Sequence, residues 1–534
     1  MIRFLTAFAA LALAGCATIS PPPADVPYAW ATFDRDGVTA SGASGLADRA
    51  RGRALTIDDP VRIASISKLV VALGVMRLVE QGRLDLDQDV SEWLGWPLRN
   101  PAFPDRPITL RLLLSHRSSL KDDVDYAVPL GRTLRQALAD PAAFDSEHPP
   151  GAHFRYANLN FPVVASVMER ATGERFDRLM AGLVLEPLGL DACFNWTTCS
   201  DSAVARAAIL YAPDGSVVRD DLGGRRPDCP VLAPEGVACD LDLYRPGENG
   251  ALFSPQGGLR ISVRDLATVG RLVLNGGWHG GRRFLSYSSL REMFTPHWRF
   301  DGDNGETEGG LYCAYGLAVQ QLPVRWPGCN DDLFGTGREV VGHAGDAYGL
   351  RSGLWIDTGS GEGIAFFATG NGDDPPRGRS AYRRIEEWLA RRLDRCFLSW
   401  RSQNMILVDH VDLADLALLP GGVDESPKLL APRLRPFHVA HDEIAFAGRL
   451  VAGADPERSD PGHLVDEGEI YPHVLDTIEL DLVDALEQDP APDHQPLLGD
   501  LEPGEQVLDP FHEQDDEAKD AEEEWPGSHF AGRQ

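Results

Sequence analysis

The chain has 534 residues, 43% of them hydrophobic, with 81 acidic and 50 basic side chains and a formal net charge of -31. That length implies two or more domains with ample core material, and a balance this acidic excludes a basic-patch nucleic-acid binder. The acid is unevenly spread: residues 401–534 hold 32 Asp+Glu and 8 Lys+Arg, which leaves 49 and 42 for residues 1–400.

In chain order, Met1-Ile2-Arg3 precedes an apolar run from Phe4 to Ala14, then Gly15-Cys16. One positive charge, a short apolar stretch and small residues read as a signal peptide over 1–15. The run is too short for a mature membrane span. Leu13-Ala14-Gly15-Cys16 resembles the bacterial lipobox, which implies a lipid anchor on Cys16. A plain secretory signal is the alternative. Ala17 in place of Asp implies, by the same resemblance, the periplasmic face of the outer membrane. Residues 16–27, with Pro21-Pro22-Pro23 and Pro27, read as an extended tether.

Tyr28 to Phe33 and Val38 to Ser44 alternate around Asp36-Gly37, the pattern of a β-hairpin. Ile57 to Ile63 reads as a further short strand. It runs into Ser65-Ile66-Ser67-Lys68 and an apolar helical run that Gly82 stops. Ser65 then stands at a helix N-terminus, where free N–H groups stabilise negative charge. Lys68, three residues on, shares its face. A hydroxyl beside an amine is a nucleophile beside a base, provided burial lets the amine lose its proton. Ser-x-x-Lys alone is a weak signal, and by itself reads first as an N-cap and a surface lysine.

From about 80 to 250 the pattern is mostly helix and loop, with helical spacing in Phe161 to Ala171 and Phe176 to Leu185. Leu259 to Asn275 reads as an amphipathic helix capped by Ser262. Strand-like runs follow at Tyr315 to Gln320, Leu350 to Ile356 and Gly363 to Thr369, and a helix at Ser380 to Arg395 closes the domain. Strands and a helix at the two ends, with helices between, predict an α/β (α+β) domain with an α-rich insertion. Beyond residue 398 the chain is acidic and Pro-broken, and 399–534 reads as a tail of low order. Within it Asp476 to Gln488 has one amphipathic helical pattern. An out-of-frame translation of the gene's end is the other reading of that tail.

Six of the eight cysteines form local couples: Cys193 and Cys199, Cys229 and Cys239, Cys313 and Cys329. In an exported protein such couples can be disulfides, although sequence alone does not fix the pairing. Cys396 is left over. No Cys/His spacing reads as a zinc site.

Two later stretches raise the weight of Ser65. Tyr156-Ala157-Asn158 follows the turn at Pro150-Gly151, and His343-Ala344-Gly345-Asp346 precedes a strand-like run. Alone, these also suit a core tyrosine, a turn asparagine and a satisfied loop histidine. In order and spacing the three motifs resemble the class C β-lactamase family of serine hydrolases, which includes D-alanyl-D-alanine carboxypeptidases and esterases. The resemblance covers about Tyr28 to Cys396. It implies an antiparallel sheet flanked by helices, and a hydrolase domain at 28–398.

By the same resemblance, Ser65 is the acylated nucleophile and Lys68 and Tyr156 handle its proton. Asn158, His343, Gly345 and Asp346 face the substrate, and the backbone N–H groups of Ser65 and Asp346 form an oxyanion hole. No metal or cofactor is implied. His116 reads as structural.

The triplet departs from the family's Lys-Thr-Gly: its cation and its hydroxyl are gone. Asp346 is expected to add negative charge and to raise the His343 pKa. Together these predict weak action on anionic β-lactams, stronger action on small neutral esters, and activity on carboxylate substrates that rises as pH falls.

Three readings follow. The leading one is an exported serine hydrolase acting on a small ester or amide. The second is a D,D-carboxypeptidase or weak β-lactamase acting on peptidoglycan-like substrates. The third is a non-catalytic penicillin- or peptidoglycan-binding lipoprotein.

Overall fold

The alternating apolar runs at the two ends of the domain pair with each other. In the computed structural model, which describes residues 26–372 and 374–393, eight strands form one antiparallel sheet. In chain order they are β1 (Tyr28–Asp34), β2 (Val38–Ser44), β3 (Trp298–Arg299), β4 (Ala314–Tyr315), β5 (Gln320–Leu322), β6 (Val340–Ala347), β7 (Leu350–Asp357) and β8 (Glu362–Ala368). Their spatial order is β3-β4-β5-β6-β7-β8-β1-β2. Strand β1 lies against β8 with Tyr28 opposite Ala368 and Asp34 opposite Glu362. The β1–β2 hairpin turns where expected, and Asp34 Oδ1 accepts from the Asp36 and Gly37 N–H groups.

Both faces of the sheet are covered. Helices α1 (Ile66–Glu80), α2 (Asn160–Thr172), α3 (Val263–Leu274) and α4 (Arg384–Ala390) are the main ones. On one face α3 packs across β8 and β1. Gly270 permits this approach: a Cβ there would lie 2.2 Å from the Phe33 ring. On the other face Trp388 and Leu389 of α4 join Trp355, Ile364 and Phe366 in a second core. Helix α1 is buried on nearly every side, as a helix apolar all round must be.

Some boundaries differ from the sequence reading. Of Ile57 to Ile63, only Val61–Arg62 is strand, in a small three-stranded sheet with Leu259–Ile261 and Cys193–Phe194. Leu259–Ile261 is therefore not the first turn of a helix; α3 begins after Ser262, whose Oγ accepts from Asp265 N. Between β4 and β5 the expected single strand breaks at a turn, with Ala318 at φ 57°. The three cysteine couples are bonded as Cys193–Cys199, Cys229–Cys239 and Cys313–Cys329. The signal peptide, Cys16, the tether up to Asp25, Cys396 and the acidic tail with its Asp476 to Gln488 pattern lie outside the described residues.

Candidate active site

Ser65 is placed by a sharp change of direction between strand Val61–Arg62 and α1. Ala64 takes a left-handed φ of 57°, a conformation that costs an L-residue about 1–2 kcal/mol. Ser65 then opens the helix, and its side chain makes no capping hydrogen bond. The hydroxyl is left free for other work. Ser67, two residues on, is fully buried, donates to Ala64 O at 2.6 Å and accepts from Leu259 N at 3.1 Å.

Lys68 is fully buried in the first turn of α1. Its Nζ lies 3.0 Å from Ser65 Oγ, 2.9 Å from Asn158 Oδ1 and 2.7 Å from Gln256 O. Burial brings its pKa down to about 7, against the opposing charges of Asp122 and Glu308. Asn158 is fixed in turn by Asp122, whose Oδ2 accepts from both its backbone N–H and its Nδ2. With Nδ2 committed to a carboxylate, Oδ1 must face Lys68.

Tyr156 stacks between His116, at 4.3 Å, and Tyr312, at 4.7 Å. Its hydroxyl is buried without a hydrogen bond of normal geometry among the described residues. Burial pushes its pKa above the ordinary phenol range, although the nearby Ser65 and Tyr312 hydroxyls act the other way. At neutral pH it is a phenol. His116 serves as scaffold: Nδ1 accepts from Ala157 N at 3.1 Å and Asn160 Nδ2 at 3.0 Å.

Strand β6 runs past Ser65. Gly345 brings it close, because a Cβ there would lie 2.2 Å from Ser352 Oγ and 2.5 Å from Ile63 O. His343 is fully buried. Its Nδ1 lies 2.5 Å from Ala344 O, a pure acceptor, so Nδ1 carries the proton and Nε2 accepts from the Tyr315 hydroxyl at 2.7 Å. Both ring nitrogens are spent inside the protein. Burial, aided by the Lys68 charge, lowers the His343 pKa to about 3. This corrects the expected upward pull of Asp346 and removes the pH dependence built on it. The Asp346 side chain pairs with Arg351, directly opposite across the hairpin. Its charge is therefore largely answered, which the triplet alone did not reveal.

Ser65, Lys68, Tyr156, Asn158, His343 and Gly345 thus meet in one place. Asp122, Gln256, Glu308, Tyr312 and Tyr315 complete it and carry no motif of their own. Glu308 is held at φ 48°, and its carboxyl is pushed up to about 7 by burial and by Glu306, Asp122 and Asp346.

A family model described as Beta-lactamase matches residues 27–387. Esterase EstB of Burkholderia gladioli is 35% identical over 248 residues, 42% of this chain and 59% of that protein. Penicillin-binding protein 4 of Amycolatopsis lactamdurans is 30% identical over 149 residues, 28% of this chain and 39% of that protein. The chain therefore spans about three fifths or less of these curated relatives. The solved D-amino acid amidase from Ochrobactrum anthropi SV3 complexed with L-phenylalanine amide has a TM-score of 0.50 at 20% identity, covering 71% of this chain and 94% of that one. It shares the fold.

Proposed function

Since the chain belongs to the beta-lactamase family of serine hydrolases, we propose that it cleaves small esters or amides through an acyl-enzyme on Ser65. The observation that carries this is the hydrogen-bond set of Lys68. A neutral amine has two N–H donors and one lone pair. Asn158 Oδ1 and Gln256 O accept the two donors, so the lone pair falls to Ser65 Oγ. A pKa near 7 keeps much of the population in that form at neutral pH.

In the proposed sequence Lys68 takes the Ser65 proton as Oγ bonds to the carbonyl carbon. The oxyanion is met by the backbone N–H groups of Ser65 and Asp346, each such donor being worth about 2.7–4 kcal/mol. As the intermediate collapses, the bond to the leaving group breaks and Tyr156, a phenol at this pH, hands over a proton. The phenolate left on Tyr156 then takes a proton from a water whose oxygen bonds to the acyl carbon, and as the acyl–Oγ bond breaks Lys68 returns its proton to Ser65 Oγ. Asn158 holds both Lys68 and the substrate amide.

The triplet strand offers no cation to a β-lactam carboxylate, since His343 is neutral. This favours esters and amides over the second reading, a D,D-carboxypeptidase or weak β-lactamase. Three disulfides suit an oxidising compartment. With the lipobox they support an exported protein held by Cys16 at the periplasmic face of the outer membrane. Detergent partitioning of wild type and release or failed processing of Cys16→Ser test the anchor.

A gel with fluorophosphonate and labelled penicillin tests the chemistry. Labelling by the first alone is expected, with the adduct on the Ser65 peptide and none in Ser65→Ala. Labelling by neither means a binding module. Hydrolysis of penicillin far faster than of p-nitrophenyl butyrate means a β-lactamase.

A further inference from the structure

Arg62 precedes Ser65 by three residues and is only 6% exposed. A guanidinium with so little access to water gains from acceptors or an anion that meet it. Other buried cations here are met. Lys68 has three acceptors. Arg260 has Asp220, Asn195 Oδ1 and Gly258 O. Arg351 has Asp346. Among the described residues the Arg62 side chain makes no hydrogen bond and no ion pair; its guanidinium faces the Tyr348 ring, 5.4 Å from the centroid.

The surroundings leave positive charge in excess. Arg62 lies directly opposite Arg260 in the small sheet. Asp220 Oδ1 is taken by Arg260 at 2.7 Å, and its Oδ2 is buried without a partner. Arg219 approaches the same Tyr348 ring, again at 5.4 Å. Three guanidiniums thus converge on one carboxylate and one aromatic ring.

The place is the edge of the active site. Tyr348 sits at the tip of the β6–β7 hairpin, two residues beyond Asp346, and Gly345 of the same strand abuts Ile63 and Ala64. Tyr126 links the group to the opposite loop: the charges of Asp122 and Arg62 and the Tyr348 hydroxyl all act on it. Asp122 is the residue that fixes Asn158.

We propose that Arg62, with Tyr348 stacked on it, is the receptor for a carboxylate carried by the ester or amide that Ser65 attacks. The proposal rests on the hydrolase reading and narrows its substrate. The family's triplet cation is absent, and Arg62 supplies a cation on a different wall. A guanidinium fork suits a carboxylate better than an ammonium does.

The test compares kcat/KM for p-nitrophenyl hexanoate and for the p-nitrophenyl monoester of adipic acid, which differ in one terminal carboxylate. Wild type is expected to favour the acid ester. Arg62→Gln should lower the acid-to-neutral ratio by about 10–100-fold, and Arg62→Lys should restore part of it. An unmoved ratio in Arg62→Gln overturns the proposal, whether or not both rates fall; a common fall would make Arg62 a structural counter-charge to Asp220. Wild type that cleaves neither ester and takes no fluorophosphonate label defeats the hydrolase reading instead. Calorimetric titration with adipic acid monoamide then decides on Arg62 alone. Binding lost in Arg62→Gln upholds the receptor, and equal binding or none overturns it.

Discussion

Lys68 Nζ lies 3.0 Å from Ser65 Oγ, and its two remaining hydrogen bonds end on acceptors that cannot donate. The protonated amine fills all three sites; the neutral one keeps two and turns its lone pair to Ser65. Activity therefore follows the deprotonated fraction. With the Lys68 pKa at about 7, kcat/KM for a neutral ester should rise with pH through that value and then level. Lys68→Arg, which stays charged throughout, should lose at least about 100-fold at every pH.

Glu308 favours the charged form of Lys68. Glu308→Gln removes that pull and lowers the Lys68 pKa further. The acid limb of the profile should move to lower pH, with the change greatest near pH 7, since below that Glu308 is itself mostly neutral. A limb that stays put, or moves up, would show that Glu308 does not act on Lys68.

Gly345→Ala tests the closeness of β6 to the nucleophile turn. The added methyl meets Ser352 Oγ and the Ile63 carbonyl, and the second is backbone that cannot step aside. The strand must shift, at a cost of about 1–3 kcal/mol. Thermal unfolding should show the loss, and turnover should fall further than stability alone explains. An unchanged melting temperature would mean the strand has slack.

His343 gives the sharpest contrast with the sequence expectation. With a folded pKa of about 3, it stays neutral in the folded protein across pH 5–8 and contributes no pH dependence to activity there. Its folded pKa lies below its ordinary one, so the folding stability it contributes is present above pH about 6.5 and is lost as pH falls toward 3. Tyr315→Phe strips its Nε2 of the only donor described and should cost about 1–3 kcal/mol in urea unfolding. His343→Lys would bury an ammonium beside Lys68 and should destabilise the fold rather than improve anionic substrates.

What was legible in the sequence was what lies close along the chain. Ser65 and Lys68 sit one helical turn apart, Tyr156 and Asn158 two residues apart, and the β1–β2 hairpin is local. Asp346 opposite Arg351 was also within reach, since a two-residue Tyr348-Gly349 turn fixes that register. The environment of His343 was not, because its partner Tyr315 lies 28 residues upstream and its burial is a property of the assembled sheet. Asp122, Gln256 and Glu308 act on Lys68 from three separate loops, and no spacing rule joins them. Leu259–Ile261 misled because two apolar residues, Leu259 and Ile261, just before a capped helix look like its first turn.

The edge between β1 and β8 sets the order in which this molecule can be made. Tyr28 waits for Ala368, and the intervening chain takes about 17–70 s to synthesise at roughly 5–20 residues per second. Until then β1 has β2 on one side and an open edge on the other, the kind of template that recruits stray strands. A nascent chain in that condition gains from anything that covers the edge. The sheet that brings β6 past Ser65 can close only after that delay, so the nucleophile helix, although encoded early, gains its catalytic surroundings last.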